Sequence, residues 1–203
     1  MSNTDIATEI SEQVLTRVCH DVIGNIGAVA NAVELLEEGD LDFLDDIKSI
    51  LKTSSGVLSA RLKFFRLAFG LSNANLTDMQ FINKTASDYL STIGNRNFPI
   101  ELNVVGYPEK LARPVLLGIM IAADTMIKGG SITVEEQGNQ LYITAKGNVN
   151  PSADKIRALQ EYIANDMPPQ AQFAPVVYLK EILKNSGYSL GMHENGNLEL
   201  IIK

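Results

Sequence analysis

The chain of 203 residues has no tryptophan, one cysteine, two histidines and seven prolines. A single cysteine excludes an intrachain disulfide and any cysteine-built metal cluster. Sparse proline beside 45% apolar residues excludes a low-complexity or disordered chain and leaves room for one ample core or two small domains. Positive charge is also in deficit: 17 Lys and Arg against 24 Asp and Glu give a net charge of -7, so a nucleic acid backbone is not an expected partner. The strongest apolar run, residues 115–123, is too short to span a bilayer, and no membrane association is expected. Met1-Ser2-Asn3-Thr4-Asp5 lacks a basic segment leading into an apolar one, so no signal peptide is expected and the protein is placed in the cytoplasm. No P-loop, dinucleotide fingerprint, zincin motif or nucleophile elbow occurs.

What the chain has is a long helical pattern near its start. Leu15, Cys19, Val22, Ile26, Val29, Val33 and Leu36 recur at gaps of four and three, the signature of a heptad seam facing a partner helix. On this pattern Cys19 is a small buried hydrophobe. His20 lies one residue past a seam position, so its ring leaves the core on a rigid helix, with Asp21 directly after it. A histidine held in this way is a usable nucleophile. The same residue would also suit an ordinary helix flank. Gly24 and Gly27 follow within the helix, each costing roughly 1 kcal/mol relative to alanine. They either open the surface beside His20 or allow close helix packing.

The first helix is expected to start at a Thr4 or Asp5 cap and to stop at Gly39. Asp40 is the expected cap of a second helix over residues 41–69, whose apolar positions again fall at threes and fours. A connection this short makes an antiparallel hairpin. Its apolar faces are too wide for one hairpin to bury, so residues 14–36 and 44–69 of two copies are expected to form a four-helix bundle.

Gly70-Leu71-Ser72-Asn73-Ala74-Asn75 reads as a linker, dividing the chain into domains over residues 1–72 and 73–203. After it come a helix over 77–93, a strand over 100–105, and a helix with Pro114 in its first turn that ends by Gly129-Gly130. A hairpin over 131–135 and 140–145 turns at Gln137-Gly138-Asn139; helices over 152–165 and 174–185 and a closing hairpin, 188–193 against 198–202, complete the pattern. The fold class is α+β, with a two-layer α/β sandwich after the hairpin.

Cys19-His20-Asp21, followed by Asn31-Ala32-Val33-Glu34-Leu35-Leu36, resembles the phosphoacceptor helix of bacterial histidine kinases, and most of all that of the ChpT-type histidine phosphotransferases. Arg61-Leu62-Lys63-Phe64-Phe65-Arg66-Leu67-Ala68-Phe69-Gly70 resembles the end of that family's second helix. The resemblance implies a homodimer with a degenerate kinase-like ATPase domain, relaying a phosphoryl group between response-regulator receiver domains, one of them on a hybrid histidine kinase. It makes His20 the phosphoacceptor and Asp21 its acidic neighbour. Arg61, Lys63 and Arg66 fall where the family keeps basic residues that meet the receiver; their other reading is a solubilising helix end. Asn25 stands where the family usually has proline, with Gly24 before it at the small-polar position, and both belong to the expected partner surface.

A kinase of this fold needs asparagines where this chain resembles it at Gly118 and Ala122, and an Asp-x-Gly turn where it reads Ala145-Lys146-Gly147. Met167-Pro168-Pro169-Gln170 stands where a glycine-rich loop would be. The resemblance therefore implies no ATP and no cofactor in this chain, with Mg²⁺ brought by the receiver. The rival readings are a dimeric scaffold in which His20 is incidental and an active kinase with a divergent ATP lobe. His193, beside a terminal turn, is expected to be plain surface.

Overall fold

The computed structural model describes residues 3–39, 43–70, 76–194 and 197–203, with side chains from residue 6 onward. Helix α1 (Asn3–Glu37) runs without interruption, already helical through Thr4 and Asp5, so neither residue precedes it as a cap. It stops where Gly39 takes φ +75°, a conformation that favours glycine. Helix α2 (Leu44–Phe69) starts after Phe43, later than the expected Leu41; the expected cap at Asp40 lies outside the described residues.

The two helices pack along one another, but the inward stripe of α1 is displaced by one residue from the expected seam. Ile10 and Ala32 are buried, and Val14, Val18, Asp21, Asn25 and Ala28 are half-buried between them. The expected seam lies on the border of that face. Val22 and Val29 are half-buried, whereas Cys19 is exposed and Leu15 is 63% exposed, with Ile26, Val33 and Leu36 also exposed. The apolar band on α1 is wider than one partner helix covers. The register is set by polar residues, Arg17 and Asp21, which find partners inside the molecule. Hydropathy alone ranks such positions as outward.

Beyond α2 come α3 (Met79–Ile93), β1 (Ile100–Val104), α4 (Ala112–Asp124), β2 (Gly130–Gln137), β3 (Gln140–Gly147), α5 (Ala153–Ala164), α6 (Ala174–Asn185), β4 (Leu190–Glu194) and β5 (Leu198–Ile202). Asp78 caps α3 by accepting from the Phe81 N–H, and Ser152 caps α5 by accepting from that of Lys155. The α6 pattern matches its expected span; α4 ends at Asp124, before Gly129 and Gly130. The β2–β3 hairpin turns on Gly138 at φ +62°. Of the expected linker only Gly70 is described, and Asn195 and Gly196 of the last turn lie outside the described residues.

The five strands order as β1-β2-β3-β5-β4. β1 pairs with β2 in parallel, through the crossover helix α4, and the other pairings are antiparallel. Alternation along the strands turns Ile132, Val134, Leu141, Ile143, Leu198 and Leu200 into one face, which α4 covers almost wholly buried. Mixed α and β layers are thus the observed architecture. The core continues past the sheet domain into the hairpin. The Phe64 ring of α2 stacks on Tyr89 of α3 at 3.9 Å, and Phe65, Leu67 and Ala68 are buried in the same cluster, with Val18 and Val22 of α1 packed against it.

Gly118 of α4 sits against the sheet so closely that a Cβ there would meet Ile143 Cδ1 at 2.2 Å. Gly118→Asn is expected to overpack this contact and bury an unpaired amide, lowering stability by about 2–4 kcal/mol in urea unfolding. A loss under about 0.5 kcal/mol would contradict the packing described.

Candidate functional site

His20 projects from the middle of α1 with 84% of its side chain exposed. A Cβ at Gly24 or at Gly27 would meet nothing within 4 Å, so these glycines leave open surface along the helix beyond His20 and serve no packing contact within the chain. Asn25, on the inward stripe, is half-buried. On α1 the His20 ring thus combines a backbone fixed by the helix with open access from solvent.

Asp21 points the other way, into the junction between α1 and the sheet domain. Its Oδ1 lies 3.4 Å from His20 Nδ1. Arg17, one turn earlier, donates from Nε to Asp21 Oδ2 at 2.9 Å and from Nη2 to Asp124 Oδ1, at the end of α4, at 2.8 Å. Burial works against the guanidinium charge, but the two carboxylates outweigh it and raise the Arg17 pKa above its ordinary value. Burial pushes the Asp124 carboxyl up, and the Arg17 hydrogen bond pulls it back. Lys155 of α5 donates to the Asp124 carbonyl. Sequence reasoning did not single out Arg17, Asp124 or Lys155. The i,i+4 spacing of Arg17 and Asp21 was a usable signal for the first; nothing local marks the other two.

The three basic residues of α2 separate by face. Arg61 turns inward: Nη1 donates to the Asp21 carbonyl, Nε donates to Thr92 Oγ1 at 3.1 Å, and Nη2 donates to the Thr92 carbonyl at 3.2 Å. Its guanidinium thus bridges α1, α2 and the end of α3. Lys63 and Arg66 are exposed. His193 is exposed on β4, and Cys19 is exposed beside His20. A cavity of about 490 Å³ opens where α1 meets the sheet domain, lined by Arg17, His20 and Asp21 on one side and by Asp124, Lys155 and Phe173 on the other.

The arrangement defines a hairpin protein that presents an exposed histidine, with a fixed carboxylate beside it, at the junction with an α/β domain. Residues 80–197, more than half the chain, match the family model "Histidine phosphotransferase C-terminal domain". The chain belongs to this histidine phosphotransferase family of two-component phosphorelays, and its activity is phosphotransfer. It is 28% identical over 193 residues to the protein phosphotransferase ChpT of Brucella abortus (strain 2308), covering 92% of this chain and 91% of that one. A solved structure titled "1.7 Angstrom Structure of a Bacterial Phosphotransferase" superposes with a TM-score of 0.75 at 26% identity, over 100% of this chain and 98% of that one.

Because Arg61 ties three helices together, Arg61→Ala is expected to lower stability by about 1–3 kcal/mol through loss of its hydrogen bonds to the Asp21 carbonyl and to Thr92. Lys63→Ala and Arg66→Ala should each stay within about 0.5 kcal/mol. Thermal unfolding of the three variants checks the order; equal losses would contradict it.

Proposed function

We propose that the protein relays a phosphoryl group between the aspartates of response-regulator receiver domains, one of them on a hybrid histidine kinase, with His20 as the intermediate acceptor. The observation that carries this reading is the exposed His20 ring beside the buried-side carboxylate of Asp21. The unprotonated ring nitrogen attacks phosphorus in line. A P–N bond forms as the P–O bond to the receiver's carboxylate breaks, the electron pair leaving with that oxygen. The reverse step delivers the group to a second receiver. Asp21 orients the ring and offsets the positive charge that the phosphorylated imidazole carries. The Mg²⁺ of the receiver serves the reaction from the partner's side. Lys63 and Arg66, exposed on α2, suit the acidic surroundings of a receiver's phosphorylation site; Gly24 leaves room for its approach, with Asn25 on the same turn of helix.

The working form is a homodimer. Leu15, Ile23, Ile26, Val33 and Leu36 of α1 and Leu62 of α2 are exposed apolar residues, and a second hairpin completing a four-helix bundle would cover them. The α/β domain resembles a kinase ATPase lobe that no longer takes nucleotide. Ile143 fills the space at Gly118, and the space beside Ala145 and Gly147 is about 30 Å³. Small-molecule sites take roughly 300 Å³ or more.

His20→Ala removes an exposed ring, so stability should change by less than about 1 kcal/mol. Label transferred from a phosphorylated receiver should fall to background. Labelling of the variant at the wild-type rate would contradict the assignment. Light scattering should give twice the 22.1 kDa chain mass at micromolar concentration. A monomer would remove the bundle, and calorimetric binding of ATP with micromolar affinity would remove the degenerate reading of the second domain.

A further inference from the structure

The relay leaves Arg17 and Asp124 without a role, and their geometry supplies one. Asp21 has two carboxylate oxygens. Oδ2 is taken by Arg17 Nε at 2.9 Å, which leaves Oδ1 facing His20 Nδ1 at 3.4 Å. Arg17 is itself held: Nη2 donates to Asp124 Oδ1 at 2.8 Å and Nη1 donates to the Gln172 carbonyl at 3.4 Å. Lys155 holds the Asp124 backbone in turn. The side chains of Arg17, Asp21 and Asp124 are 14, 16 and 25% exposed, against 84% for His20. A free surface arginine samples many rotamers, whereas this one is fixed from α1, α4 and the turn before α6. The planar fork spans two carboxylates, a geometry a lysine cannot reproduce.

We propose that Arg17 and Asp124 are positioning residues for phosphotransfer, locking Asp21 so that Oδ1 accepts the Nδ1 proton of His20 and the Nε2 lone pair is presented to phosphorus. This rests on the reading of His20 as phosphoacceptor. Donor–acceptor distances in a resting site are often long and tighten as the reacting complex forms. The Asp21 carboxylate, held 3.4 Å from Nδ1, favours the proton on Nδ1 and offsets the positive charge that the ring gains when the P–N bond forms. Removing the Asp124 charge leaves Arg17 to neutralise Asp21, and the pull on the Nδ1 proton weakens. Removing the fork frees Asp21 to rotate. In the transfer step the Nε2 lone pair becomes the P–N bond, the electron pair of the broken P–O bond stays on the receiver's carboxylate, and Nδ1 keeps its proton throughout. The α/β domain thereby takes part in the chemistry through the end of α4, without touching the phosphoryl group.

A pure clamp between domains would leave the ring's tautomer indifferent to these residues, so the tautomer is the deciding readout. The chain has two histidines, His20 and His193, so long-range ¹H–¹⁵N spectra hold two imidazoles, assigned by His20→Ala. The expected wild-type spectrum shows His20 with its proton on Nδ1. Arg17→Lys and the isosteric Asp124→Asn should shift His20 toward the Nε2–H form, leave His193 unchanged, and slow labelling by a receiver charged with acetyl phosphate by about tenfold or more. His20 found as Nε2–H in the wild-type protein overturns the proposal with no variant needed. So do folded variants that keep the wild-type tautomer and rate. If His20→Ala has lost its label in that case, the acceptor assignment survives and only the positioning role falls; if His20→Ala still takes label, both fall.

Discussion

The Arg17 guanidinium, set between the carboxylates of Asp21 and Asp124, is the contact on which the arrangement of this protein depends. It fixes how α1 is rotated about its own axis. With Arg17 and Asp21 turned toward the sheet domain, His20 is carried to the open side, and the apolar band from Leu15 to Val33 is left facing outward. A charged cluster is costly to bury unless every partner is met, and here α1, α4, α5 and the Gln172 carbonyl meet it together. One ion-paired junction therefore sets both the exposure of His20 and the apolar face that α1 leaves outward.

The hairpin and the sheet domain are not independent bodies. Phe64, Phe65, Leu67 and Ala68 of α2 belong to the same core as α4 and the inner face of the sheet. Arg61 adds a polar tie from α2 to Thr92 and to the backbone of α1 at Asp21. This rigidity suits phosphotransfer, in which catalysis is almost wholly a matter of placing the attacking atom in line and stabilising charge. Val18 and Val22 of the helix that carries His20 pack against this common core.

Much of this was legible in the sequence because it is local. The 3.6-residue period marked both long helices, Gly39 marked the end of the first, and Gly138 marked a hairpin turn. The exposure of His20 followed from its place beside the apolar seam. Within the chain the stripe that α1 turns inward lies one residue from the expected seam, and Cys19, expected to be buried, is exposed. A wide apolar band does not say which edge faces inward; polar residues satisfied by distant partners decide that. Asp124 lies 107 residues from Arg17, so no local pattern could pair them. Arg61 looked like its neighbours Lys63 and Arg66, and the positions of Thr92 and the Asp21 carbonyl, distant in the chain, turn it inward.

The account turns on where the phosphoryl group resides. The direct measurement is ³¹P and ¹⁵N NMR of the labelled protein, prepared with a phosphorylated receiver and kept at alkaline pH, where a phosphoramidate persists. The account predicts phosphorus bonded to Nε2 of His20, with the His193 ring unmodified. Phosphorus on His193, or on any oxygen of this chain, would contradict it.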